Sequence, residues 1–316
     1  MTCPTVSIIM PNRNYAKFIS DAIASVKAQT LTDWECIIVD DASTDNSVEV
    51  FKRAIGNDKR FKLVVNPEPI GISATRNIGM NMAVGEYIAF LDSDDCYAEF
   101  FLEMLVKLAR EANVDVAGAL SKTVNEAFHF ARSNVKWNTS DYVMYENHRD
   151  MLLAPVTRKF VWIWRRIYKR SILKDVRFQE EMKVNGDDVM FMADLTWRLP
   201  RVAESNIEAV YHRSHGSSIS SVQQVFNIER LRVFPLMFKY SRKNLLKKYD
   251  KSFLREFYSG LFMLMLSESF VRFADRLTQQ DKKELRKVLS AASRVIVKRY
   301  LPFKQRLLCR YLSWIK

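Results

Sequence analysis

The first part of the chain alternates short apolar runs with longer amphipathic stretches. Val6-Ser-Ile-Ile-Met10 reads as a strand, and Ile19, Ala22, Ile23 and Val26 then recur at the helical period. Strands are predicted again at Trp34 to Val39, Phe61 to Val65, Tyr87 to Leu91 and Val114 to Leu120. Helices are predicted between them at Ser47 to Ile55, Ser73 to Val84 and Phe100 to Ala112. Such alternation predicts an α/β fold with an open, mostly parallel sheet covered on both faces. Beyond Ser221 the pattern becomes wholly helical. Glu229 to Lys248 and Phe253 to Phe273 carry apolar residues three and four apart, and Val288 to Lys316 interleaves Val295, Ile296, Leu301, Phe303, Leu307, Leu308, Leu312 and Trp314 with Lys and Arg, broken at Pro302. An α/β domain over 1–221 and a helical region over 222–316 are therefore expected.

In open α/β sheets ligands bind beyond the carboxyl ends of the strands. Three of the predicted strands end in polar clusters: Pro11-Asn12-Arg13-Asn14, Asp40-Asp41-Ala-Ser-Thr-Asp45 and Asp92-Ser93-Asp94-Asp95. Carboxylates as dense as the last group repel one another unless a cation joins them, and Mg2+ or Mn2+ is held by one or two carboxylates plus substrate phosphates. The competing readings are capping ones: a turn and helix cap before Phe100 for Asp92 to Asp95, and caps of the helix near Asn46 for Asp40 and Asp41. Taken together, an acceptor pair at one strand end and a metal-type cluster at another suit a nucleotide diphosphate.

The order Val6-Ser-Ile-Ile-Met-Pro11, Gln29-Thr30, Val39-Asp-Asp-Ala-Ser-Thr-Asp-Asn46, Gly71-Ile-Ser-Ala-Thr-Arg-Asn77-Ile-Gly79 and Gly85-Glu-Tyr-Ile-Ala-Phe-Leu-Asp-Ser-Asp-Asp95 resembles family 2 glycosyltransferases of the GT-A fold. The resemblance continues more weakly through Trp164 to Ser171, Asn185-Gly-Asp-Asp188 and Tyr211-His-Arg-Ser-His215. It implies transfer of a sugar from a nucleotide diphosphate donor with inversion, aided by Mn2+ or Mg2+. By the same resemblance Asp41 meets a uracil ring with Asp40 beside it, Asp92 and Ser93 serve the nucleotide sugar, and Asp94 is the metal ligand with Asp95 in support. Arg76 meets phosphate or sugar oxygens, a task suited to a bidentate guanidinium. Asp188 is the candidate base, Asp187 standing where the family has Glu, and His215 and Arg213 are candidates for neutralising the leaving diphosphate, His215 at the metal. After Pro11, Arg13 stands where the family places a Tyr that stacks on uracil, and a guanidinium plane can stack likewise. UDP is the nucleotide expected. Trp137, Tyr142, Tyr145, Trp162 and Trp164 are readable either as acceptor-sugar faces or as core packing.

Composition sharpens the second half more than the first. The 316 residues carry a net charge of +13, yet residues 222–316 alone hold 22 Lys and Arg against 7 Asp and Glu, while the preceding part holds 27 against 29. The basic excess belongs to the tail, whose amphipathic helices predict peripheral contact with an anionic membrane surface. A calmodulin-like target, an RNA-binding face and a plain basic helical cap compete with that reading. Cys3, Cys36, Cys96 and Cys309 form no metal or disulfide framework, no signal-peptide pattern opens the chain, and no apolar run is long enough to span a bilayer. A cytoplasmic enzyme is expected, acting on a glycan or lipid-linked glycan acceptor in envelope or extracellular polysaccharide synthesis. Nucleotidyl transfer is the alternative on the same sheet, disfavoured by the absence of glycine in Pro11 to Asn14, and nucleic-acid binding is at most an addition by the tail.

Overall fold

A computed structural model describes residues 3–133, 135–145, 149–150, 153, 162–181, 187–198, 200–216, 233–246, 248–266, 279–295 and 298–306. In chain order the elements are β1 (Val6–Asn12), α1 (Ile19–Lys27), β2 (Trp34–Asp40), α2 (Ser47–Ile55), β3 (Phe61–Val65), α3 (Ile72–Met82), β4 (Tyr87–Phe90), β5 (Cys96–Tyr97), α4 (Phe101–Glu111), β6 (Val116–Asn125), β7 (Tyr142–Tyr145), β8 (Arg166–Lys169), α5 (Asp187–Thr196), β9 (Val202–Ser214), α6 (Val233–Leu245), α7 (Lys251–Leu266) and α8 (Gln279–Val295).

The sheet runs β3-β2-β1-β4-β8-β6-β9-β5, with β7 paired to β9. The pairs from β3 to β4 are parallel, as expected for apolar runs joined by helices. Both β1 and β2 are buried along their full length, which a parallel strand covered on both faces requires. Beyond β4 the sheet becomes mixed: β8 pairs antiparallel with β4 and β6, whereas β9 runs parallel to β6. Two glycines set the spacing near the site. A Cβ on Gly79 would lie 2.5 Å from Ile9 Cγ2, so α3 lies close on β1, and one on Gly85 would lie 2.6 Å from the Ser7 nitrogen. Buried Gln29 joins α1 to α4, its Nε2 donating to the Ala98 carbonyl at 2.8 Å and its Oε1 accepting from Leu102 N at 3.0 Å.

Two apolar cores result. The larger lies between the sheet and α1 to α4, and the smaller among α6, α7 and α8. Helix α5 belongs to both: Phe191, Met192 and Leu195 face the sheet core, while Met190 and Ala193, with Trp197 just beyond, enter the tail core. The boundary expected at 221 lies outside the described residues, and the second core draws on residues well before it. Val288, Leu289, Ala292 and Leu301 are buried in that core. Part of the apolar stripe read as membrane-facing is therefore internal packing. Phe303 of that stripe is exposed, and Leu307, Leu308, Leu312 and Trp314 lie outside the described residues.

Candidate active site

The ends of β1, β2 and β4 are tied by Asn12, a residue given no role by the sequence pattern. Its Nδ2 donates to Asp40 Oδ1 at 2.7 Å, and its Oδ1 accepts from Ser93 Oγ at 2.7 Å. Asp40 also accepts from Ser43 N at 2.9 Å and Ser43 Oγ at 2.6 Å, and it is fully buried. Asp40 and Ser93 thus hold strand ends together. Pro11 is likewise buried within β1, in register with Val39 of β2. Asp41 clasps the loop after β3, accepting from Asn66 Nδ2 at 3.0 Å and from the amides of Ile70 and Gly71 at 2.8 and 2.9 Å. Beside it stands Arg13, 49% exposed and 3.8 Å from the Asp41 carboxylate. The capping alternative fails for this pair: Asp45, not Asp40 or Asp41, accepts from the first turn of α2, at Ser47 N.

The acidic turn after β4 separates its carboxylates by partner. Asp92 points to Arg76 Nη2 at 2.7 Å. Asp94 Oδ2 lies 3.0 Å from His215 Nε2, and that imidazole is packed against Phe18, with ring centroids 4.5 Å apart, and against the edge of Tyr15 at 5.7 Å. Asp95 was expected to support the metal or to cap α4, yet α4 has no side-chain cap. Asp95 instead accepts from Arg213 N at 2.8 Å and faces His212 Nδ1 at 3.2 Å. Burial pushes the Asp95 carboxyl up to about 7 against the pull of His212, whose imidazole is in turn raised by its hydrogen bond to Asp95. Tyr15 holds its proton more tightly than usual because it is buried and close to Asp94 and Asp92.

Arg213 does not reach outward as a neutraliser of the diphosphate would. Its guanidinium donates to the carbonyls of Asp94 at 2.9 Å and Glu126 at 3.1 Å, to that of Phe128, and to Asp21 at 3.2 Å, with the Phe18 ring 4.8 Å away. Every one of those contacts is internal, so this buried arginine fixes the acidic turn, and His215, equally buried, is the neighbour that meets Asp94.

Arg76 is the centre of the site. Asn77 clamps the backbone of Phe178 through two 3.0 Å hydrogen bonds, and the Phe178 ring lies 5.4 Å from the Arg76 guanidinium. From that seat Arg76 reaches Asp92, Asp187, and Asp188 Oδ1 at 3.0 Å. Arg76 thereby bridges the sheet edge and the first turn of α5. Burial alone would loosen the guanidinium's proton, but the surrounding carboxylates outweigh it and the hold tightens. The same burial raises Asp187, and raises Asp188 well above the usual carboxylate range, with Arg76 opposing in both. Asp188 is the more open of the two, its side chain 23% exposed against 9% for Asp187.

An oxygen and an imidazole donor meeting at Asp94 and His215 fit Mn2+ or Mg2+ completed by substrate phosphate oxygens. Among the described residues no group of three or more His, Cys, Asp or Glu gathers at one point.

The family model described as glycosyl transferase family 2 matches residues 7–177. The chain belongs to glycosyl transferase family 2. Among curated relatives of this family 2 chain, the UDP-Glc:alpha-D-GlcNAc-diphosphoundecaprenol beta-1,3-glucosyltransferase WfgD of Escherichia coli is 41% identical over 109 residues, 34% of this chain and 42% of that protein. The GalNAc(5)-diNAcBac-PP-undecaprenol beta-1,3-glucosyltransferase of Campylobacter jejuni is 29% identical over 185 residues, 58% of this chain and 57% of that protein. The chain spans about half the length, or less, of such curated relatives. In fold it matches S. aureus TarS 1-349, solved in complex with UDP-GlcNAc, with a TM-score of 0.75 at 21% identity, over 98% of this chain and 87% of that one. The GT-A architecture expected for a family 2 enzyme is therefore the one found. Asn12, the last residue of β1, and Tyr15, three residues on, were given no role from the sequence, because only long-range contacts reveal what they do.

Proposed function

We propose that this family 2 member is a metal-dependent inverting glycosyltransferase. It moves a sugar from a nucleotide diphosphate donor, a UDP-sugar, to a glycan or lipid-linked glycan in envelope or extracellular polysaccharide synthesis. The observation that carries this reading is the convergence on Arg76, one guanidinium joining Asp92 at 2.7 Å to Asp188 at 3.0 Å. It supports a donor side at the sheet edge facing an acceptor side at the start of α5.

On the donor side, Arg13 offers an exposed plane for the base with Asp41 as the acceptor edge, and Asp92 serves the ribose. Asp94 and His215 would hold Mn2+ or Mg2+, which supplies neutralisation of the charge growing on the departing diphosphate. On the acceptor side, Asp188 is the base: burial lifts its proton affinity towards the working range, and its partial exposure gives a hydroxyl access. The hydroxyl proton passes to Asp188 and the oxygen bonds to the anomeric carbon. The bond to the diphosphate breaks on the opposite face, inverting the centre. Asp187, enclosed beside Arg76, keeps that guanidinium in place.

Two relatives are named for undecaprenol diphosphate-linked acceptors, which supports a lipid-linked acceptor here, met at the cytoplasmic face of a membrane. No helix among the described residues is long and apolar enough to cross one. Among the described residues, a peripheral contact is supported by a patch around Phe303, 65% exposed, with Arg306 5.9 Å from its ring and Lys304 also exposed.

A Mn2+-dependent binding and hydrolysis screen across nucleotide sugars tests the reading. Asp94→Ala should lose metal-dependent donor binding, whereas Asp188→Asn should bind donor and stop transfer. Unchanged metal-dependent donor binding in Asp94→Ala would sink the metal assignment, and full transfer by Asp188→Asn would remove the base.

A further inference from the structure

Five aromatic residues were open to reading as sugar platforms, and the fold separates them. Trp137 packs against Phe100, with centroids 6.3 Å apart and planes at 23°, and Tyr142 and Tyr145 lie along β7 against the sheet core. Trp164 is buried and stacks on His212, the partner of Asp95, at 5.0 Å and 19°. Trp162 differs from all of these: it is 47% exposed.

The segment carrying it crosses the site. The Ile163 N–H faces the Asp188 carboxylate. The Ile163 carbonyl accepts from Tyr168 Oη at 3.0 Å, and the same hydroxyl meets Met192 Sδ at 3.6 Å. Met192 lies one helical turn past Asp188 on α5, on the same side of the helix. Trp162 is therefore one residue from the backbone that touches the base, and Trp164 is one residue from it on the side of the acidic turn.

Trp162 is also held in orientation. Its carbonyl accepts from Arg166, and the Arg165 guanidinium lies 5.3 Å from its ring. Both arginines are anchored on buried Glu204, Arg165 at 3.2 Å and Arg166 through Nε. An indole backed by a fixed cation, 47% exposed and one residue along the chain from the N–H that meets the base, has the form of a sugar-stacking floor: apolar C–H faces of a pyranose pack on it while the hydroxyls stay solvated or reach Asp188.

We propose that Trp162 is the acceptor-sugar platform, a specificity-determining residue that presents the acceptor hydroxyl to Asp188. This rests on the acceptor side lying at Asp188. The test uses p-nitrophenyl glycosides of N-acetylglucosamine, N-acetylgalactosamine, glucose and galactose as acceptor probes, with the full chain and its donor. Trp162→Ala should raise the KM of the preferred glycoside about 3- to 10-fold, the span of a lost stacking contact, while donor KM and acceptor-independent donor hydrolysis stay put. Trp162→Phe should recover most of the loss because a ring remains. Saturation-transfer NMR of the same glycosides reads binding without turnover, and signal seen with wild type and Trp162→Phe should vanish with Trp162→Ala. An unchanged acceptor KM in Trp162→Ala, or glycoside binding equal to wild type by NMR, overturns the platform. So does an absence of glycoside binding by wild type. Those results leave donor hydrolysis standing, whereas failure of the transferase reading abolishes hydrolysis in every variant, whatever the glycosides do.

Discussion

Removing the Arg76 guanidinium should cost the protein stability before it costs donor affinity. The side chain is 5% exposed and contacts Asp92, Asp187 and Asp188, so Arg76→Ala leaves three carboxylates without their shared cation, Asp187 the most enclosed of them. Breaking a buried ion pair from one side typically costs about 3–5 kcal/mol, because the surviving charge is left uncompensated. In a chain of 316 residues that corresponds to a fall in Tm of roughly 1.5 °C for each kcal/mol. The pH dependence is the sharper signature. Asp187 and Asp188 have folded-state proton affinities raised by burial and held back by Arg76, so loss of the cation raises them further. A carboxyl whose folded pKa exceeds its unfolded value favours the folded state below the unfolded pKa and loses that advantage as pH climbs through the folded one. The deficit of Arg76→Ala relative to wild type should therefore be largest at pH 8 and shrink as pH falls towards 5. Urea melts at several pH values read it, with nucleotide-sugar binding measured in parallel under stabilising conditions. A deficit below about 1 kcal/mol, typical of an exposed pair, and flat with pH would refute the reasoning and restore Arg76 to a direct contact with donor oxygens.

Two further outcomes follow from the same contacts. Asp188→Asn removes one carboxylate from a crowded site but leaves Arg76 with Asp92 and Asp187, so it should be inactive in transfer yet more stable than wild type at pH 8, with the gain fading as pH is lowered; calorimetry across pH checks this. Gly118→Ala would put a Cβ 2.6 Å from Glu204 Oε1 and 3.0 Å from Arg166 Cγ. Because Glu204 is pinned by Arg165 and Arg166, the variant should lose about 3 kcal/mol in chemical denaturation.

The sequence made the parallel half of the sheet legible because its strands are unbroken apolar runs bounded by turn residues. The first four strands and helices fall within a few residues of expectation. The mixed half was harder. β9 begins with four buried residues and then mixes exposed and buried positions without a regular period, and β7 and β8 are only four residues long, so no strand period stands out. Helix α8 was expected only from Val288 on, since its first half is strongly charged and offers Leu285 alone to the buried stripe that Val288, Leu289 and Ala292 continue. Within the site, Asp92 to Asp95 could be found because the cluster is contiguous. Which carboxylate faces Arg76, which His215 and which His212 could not, because the partners arrive from α3 and β9, far away in the chain. The internal partners of Arg213 were hidden for a related reason: Asp21, Glu126 and Phe128 are far from it in the chain.

The double allegiance of α5 bears on how such enzymes diversify. Its outward face, with Met190, Ala193 and the neighbouring Trp197, is complementary to one particular set of tail helices. Exchanging the basic tail for that of another enzyme, with the sheet left untouched, would set a mismatched surface against the helix that carries Asp188. New acceptors or new membrane habits are thus not modular additions to this chain. Each change in the tail has to be matched by substitutions along α5.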